Sequence, residues 1–90
     1  MNFTLGDTIA VICEVSPGPF SDELLISVET VNGPISGFVR SSELREEGSQ
    51  SYVRGKVKQA SEHVIEVWIR GEFFSTAGLA SVRRDHTMAA

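Results

Sequence analysis

Ninety residues with a formal net charge of -4, 41% of them hydrophobic and 22% charged, make one globular domain and exclude both a second domain and a disordered composition. The single cysteine, Cys13, excludes an internal disulfide and a cysteine-based metal site. No apolar run approaches the roughly 18 residues that span a bilayer, and MNFTLGD lacks the basic and apolar regions of a signal peptide, so a cytoplasmic chain with no membrane partner is expected.

Short alternating segments separated by Gly, Pro and Ser predict strands throughout. Thr8 to Val15 places Ile9, Val11, Cys13 and Val15 on one face, with Cys13 as a small buried apolar side chain. The prolines of SPGPFSDE, residues 16 to 23, interrupt pairing and predict an exposed loop in which Phe20 is an anchor. Leu24 to Val31 turns Leu24, Ile26 and Val28 inward, Asn32-Gly33-Pro34 supplies a turn, and Ile35 to Arg40 is the third strand. SSELREEG, residues 41 to 48, carries a serine ahead of acidic residues and a glycine stop, which predicts one or two helical turns whose glutamates are solvated.

Tyr52 to Ala60 and Val64 to Arg70 predict a hairpin closed by Ser61-Glu62-His63. Pairing Val57 with Val67 and Val53 with Gly71 keeps Val53, Val57, Ile65, Val67 and Ile69 inside. Beyond it, Phe73 and Phe74 should point to opposite faces. Ala77-Gly78 marks a bend, and Leu79 to Val82 is a last strand. RRDHTMAA offers nothing to pack. The expected architecture is therefore all-β, a single small barrel of five to six short antiparallel strands with one helical turn over residues 1–84, followed by a disordered tail at 85–90. No internal repeat is visible.

The segment ISGFVRSSEL, residues 35 to 44, resembles the strand-and-turn segment of the RNA-binding (OB-like) barrel first described in ribosomal protein S-one. The order of Gly6-Asp7, GFVRSSEL and a closing hairpin resembles that family over roughly residues 6 to 70. The resemblance implies RNA or single-stranded DNA binding, but ELLISVETV lacks the base-stacking aromatic of the family's second strand, and Arg40 stands at the motif's histidine. GFVRSSEL also resembles the last strand of bacterial SH3-like domains.

The most informative chemistry is VRGKVK, residues 53 to 58. In the expected register, Arg54, Lys56 and Lys58 form a strip facing Arg70, Trp68 and Glu66. Charge is segregated along the chain: residues 1–50 hold eight acids and two bases, residues 51–90 four acids and six bases. Same-face cations about 6.6 Å apart repel by only about 0.6 kcal/mol in water, so the strip is tolerated without a ligand. The strip reads either as a solvated hairpin face whose lysines discourage edge pairing or as a recognition surface, and Trp68 raises the second reading because tryptophan and arginine are enriched at interface hot spots.

Arg54, Lys56, Lys58, Trp68 and Arg70 are accordingly the candidate partner-binding residues of a non-catalytic intracellular module. A protein partner is favoured over nucleic acid, since net charge -4 and pI near 5.0 oppose nonspecific attraction to phosphates. Nucleic-acid binding and an acidic, antitoxin-like inhibitor acting through Glu43, Glu46 and Glu47 are the alternatives. A homo-oligomer, even one enclosing a small-molecule site, fits the composition equally. His63 in a turn and His86 near the end are not placed for metal ligation or base catalysis, and no glycine-rich phosphate loop occurs, so neither an enzyme nor a cofactor is expected.

Overall fold

A computed structural model describes residues 3–90 of the chain. Among the described residues nine strands, β1 (Thr8–Pro17), β2 (Glu23–Thr30), β3 (Gly33–Arg40), β4 (Leu44–Glu47), β5 (Gln50–Ala60), β6 (Val64–Trp68), β7 (Glu72–Phe73), β8 (Leu79–Arg83) and β9 (Thr87–Ala89), form one antiparallel sheet. Their order is β7-β3-β2-β1-β5-β6-β8, with β4 on β5 and β9 on β1. The sheet curls strongly into a half-barrel. The Val31 N–H, just past β2, reaches the Ser81 carbonyl of β8 at 2.9 Å.

The fold is all-β, as the alternation predicts, and six of the nine strands are those expected from punctuation. One face of the curl supplies the core, where Ile26, Val28, Val53, Val57, Ile65, Val67, Ile69 and Val82 are wholly enclosed. Val15 lies past the end of this core and is 36% exposed. Burial holds the Cys13 thiol up at about 11 against its ordinary 9.0. Because the folded value is the higher, the contribution of this group to stability is complete below pH 9.0 and is lost as pH rises through about 11. Thiol reagents at neutral pH should therefore leave the native chain unlabelled and modify it rapidly in denaturant, with labelling followed by mass spectrometry.

The structure differs from the local reading at several segments. Pro17 does not interrupt pairing: β1 runs on through Ser16↔Leu25 and Pro17↔Leu24, so the expected loop at 16 to 23 is confined to residues 18–22. Ser41–Glu43 forms a single 3-10 turn with no side-chain cap, and the acidic run that follows is strand β4, held by Leu44↔Val53 through Glu47↔Gln50. Leu44 packs against the core, and this tertiary contact outweighs the local helical signal. The segment 85–90, expected to fray, folds: Arg84–His86 is a second 3-10 turn and β9 pairs with β1 at Ile9↔Ala89, Ala10↔Met88 and Val11↔Thr87. The Arg84 guanidinium donates to the carbonyls of Ser61 at 2.6 Å and Glu62 at 3.1 Å and stands 5.4 Å from the Phe3 ring, which ties this end to the β5–β6 turn. Phe20 is 67% exposed, so its ring is not the loop anchor expected.

The two halves of the chain repeat one arrangement. Val11 faces Val53 at the centre of β1–β5. Thr87 of β9 pairs with Val11 as Leu44 of β4 pairs with Val53. Ser27 pairs with Glu14 as Trp68 pairs with Lys56, and Gly37 pairs with Ile26 as Ala80 pairs with Val67. Strands β3 and β8 both end in Val-Arg, pass through a three-residue 3-10 turn and deliver a short strand to the opposite half. Hydrogen bonds follow the same rule: Ser41 N–H donates to the Asp22 carbonyl and Arg84 N–H to that of His63, each from the first residue of a 3-10 turn. A pseudo-twofold axis through the Val11–Val53 pair relates the halves. The chain is thus two intertwined repeats, each completed by the other's last strand.

Candidate functional site: a cationic groove beside Trp68

Gly55 points inward, and a Cβ there would lie 3.5 Å from the Val67 Cβ and 3.6 Å from the Ile69 Cγ1. Its neighbours Arg54 and Lys56 are therefore turned out to solvent. Lys56 stands opposite Trp68 and Val57 opposite Val67, as expected. Three expected pairings are not met. A bulge between Val57 and Gln59 sets Gln59 against Glu66, so Lys58 stands in the irregular stretch with no cross-strand partner. Arg70 is not paired with Arg54, nor Gly71 with Val53, because β4 occupies the edge of β5 at Val53 and β6 ends at Trp68. The Ile69 N–H turns instead to the Gly78 carbonyl at 2.8 Å.

Arg70 nevertheless reaches the site. Its guanidinium carbon lies 6.0 Å from the centroid of the Trp68 ring, within the range of a cation–π contact. The indole is half-buried, and its Nε1 donates to the Ala77 carbonyl at 3.3 Å. Gly78, at φ +103°, allows this close passage: a Cβ there would come within 3.2 Å of Nε1 and 2.5 Å of the Ile69 carbonyl. The ring is thus pinned along one edge, with Arg70 over its face.

Thr8, Glu43, Arg54, Lys56, Trp68 and Arg70 line an open groove of about 230 Å³. Among the described residues, none of Arg54, Lys56, Lys58 and Arg70 has a carboxylate within 4.0 Å; the recorded ion pairs are Arg40–Asp22, Arg45–Glu47, His63–Glu62 and Arg83–Asp85. Four of the five residues singled out in the sequence meet in the groove or on its wall, and Lys58 lies outside it. Glu43 is the addition. The 3-10 turn at Ser41–Glu43 brings this carboxylate into the groove, and it also lines the neighbouring depression formed by Phe38, Arg40, Arg70 and Glu72. The sequence carries the residue but no local sign of its placement.

The remaining candidates lie apart from this groove. Phe73 packs partly against the core, while Phe74 is 67% exposed and meets Phe38 edge-to-face at 5.6 Å, so the two rings do part as alternation requires. Among the described residues, no group of three or more His, Cys, Asp and Glu could hold a metal ion, and no helix is long and apolar enough to cross a membrane.

Fold and groove together define a small, strongly curled all-β domain with an open cationic–aromatic surface. No family model matches the chain, and no curated protein or solved structure matches it.

Proposed function

We propose that this domain is a non-catalytic binding module whose groove takes an acidic segment of a protein partner. One observation carries the reading: three cations with no carboxylate within 4.0 Å among the described residues line an open groove together with the chain's single tryptophan. A partner carboxylate would displace water from unpaired guanidinium and ammonium groups, while the Trp68 face buries apolar area beside them. The Ala77 hydrogen bond and the Gly78 backbone hold the ring in place, so little rotamer freedom is lost on binding. Glu43 in the wall gives the groove polarity, repelling a second carboxylate at one end and favouring one orientation of the segment.

Capture from a native lysate by the wild-type chain and by Trp68→Ala, each with and without nuclease, tests this reading. The expected result is a protein retained through nuclease treatment, released by salt and absent from the Trp68→Ala sample. Loss of every specific partner on nuclease treatment would assign the groove to nucleic acid. Loss on charge reversal at Glu46 and Glu47, but not in Trp68→Ala, would move the site to the acidic β4 edge.

A further inference from the structure

We propose that the acidic partner of the groove is a second copy of this chain, docked through its β1–β2 hairpin; this rests on the protein-binding reading above and names the partner. The pseudo-twofold axis places Glu14 where the other half has Lys56, Glu29 where it has Arg70, and Ser27 where it has Trp68. The charge is reversed at two equivalent positions of one scaffold. Arg70 lies two residues past the last β5–β6 pair and Glu29 two residues past the last β1–β2 pair, so the correspondence between them is one of position in the repeat and of charge.

Glu14, Glu29, Lys56 and Arg70 are all exposed, and among the described residues neither glutamate has a cationic partner within 4.0 Å. Residue size differs at the central position. Trp68 stands half-buried opposite Lys56 with Arg70 over its ring, whereas the equivalent position opposite Glu14 holds the smaller Ser27, with half-buried Leu25 on the same face. A tryptophan flanked by positive charge thus has as its counterpart a serine flanked by negative charge. Because the faces belong to opposite halves, the contact is head-to-tail: each docked pair leaves one basic and one acidic face free, and association continues into a ring or an open chain.

Sedimentation velocity of the full chain tests the proposal, over concentrations from about 10 μM to about 1 mM and at ~0.03 M and ~0.5 M salt. Wild type should show a sedimentation coefficient that rises with concentration and returns to the monomer value at the higher salt. The double variants Lys56→Glu with Arg70→Glu and Glu14→Lys with Glu29→Lys should each remain monomeric alone. An equimolar mixture of the two should associate at least ~10-fold more tightly than either alone, since each restores the charge the other lacks. A wild type that stays monomeric throughout overturns self-docking, and so does association that persists in both variants. If lysate capture through Trp68 stands while wild type is monomeric, only the choice of partner fails; if neither is seen, the groove reading fails with it.

Discussion

A chain ending at Arg83 should lose about 3–5 kcal/mol of stability in urea unfolding. The loss comprises three ladder pairs, at roughly 1 kcal/mol net for each hydrogen bond, together with the Arg84 contacts to the β5–β6 turn. Ala10, 4% exposed, would lose its cross-strand neighbour Met88. Against the 5–15 kcal/mol typical of a domain this is a large fraction, so the unfolding midpoint should fall far below that of the full chain. An unchanged midpoint would mean that β9 completes nothing. Such a result would also remove the strand exchange on which the pseudo-twofold description rests, because β9 is the counterpart of β4.

Trp68→Ala should weaken partner binding by about 2–4 kcal/mol, on the order of 30- to 1000-fold in Kd, as truncation of a central aromatic anchor does. The ring is half-buried, so part of any effect could arise from the fold; Lys56→Glu separates the two. Lys56 is exposed and unpaired, its reversal should leave the urea midpoint in place, and it should still abolish most of the binding in titration calorimetry. Normal affinity in Lys56→Glu would remove the groove as the contact surface.

The residues that announce themselves in the sequence do so through face alternation, and alternation tells which side a residue takes but not which strand lies beside it. Val57 and Val67 pair as read because a slip of one would bury Glu66. At Lys58-Gln59-Ala60 all three side chains are exposed, nothing apolar pins the register, and the bulge that removes Lys58 from Glu66 leaves no local trace. Val53 has an inward face in either arrangement, so its true neighbour, Leu44, could not be told from the expected one. The tail misleads for a related reason: Thr87, Met88 and Ala89 have little to bury, and their strand exists because β1 offers an unpaired edge.

The repeat is hidden for the same cause. The halves retain inward valines at Val11 and Val53 and a Val-Arg before each 3-10 turn, while their outward residues differ, even to the reversal of Glu14 against Lys56. A pleated scaffold asks only for alternation, so the two surfaces are free to diverge. Glu43 enters the groove through this hidden symmetry, on the 3-10 turn that one half lays against the other.

The most direct measurement uses the tryptophan itself, because emission at 68 comes from the chain's single indole. Quenching by iodide and by caesium should be compared at matched ionic strength. A ring reachable from water in a groove lined by three cations predicts clear quenching by the anion, weak quenching by the cation, and loss of that difference in Lys56→Glu with Arg70→Glu. Emission resistant to both ions, or quenched equally by them in the wild type, would contradict an open cationic surface at Trp68.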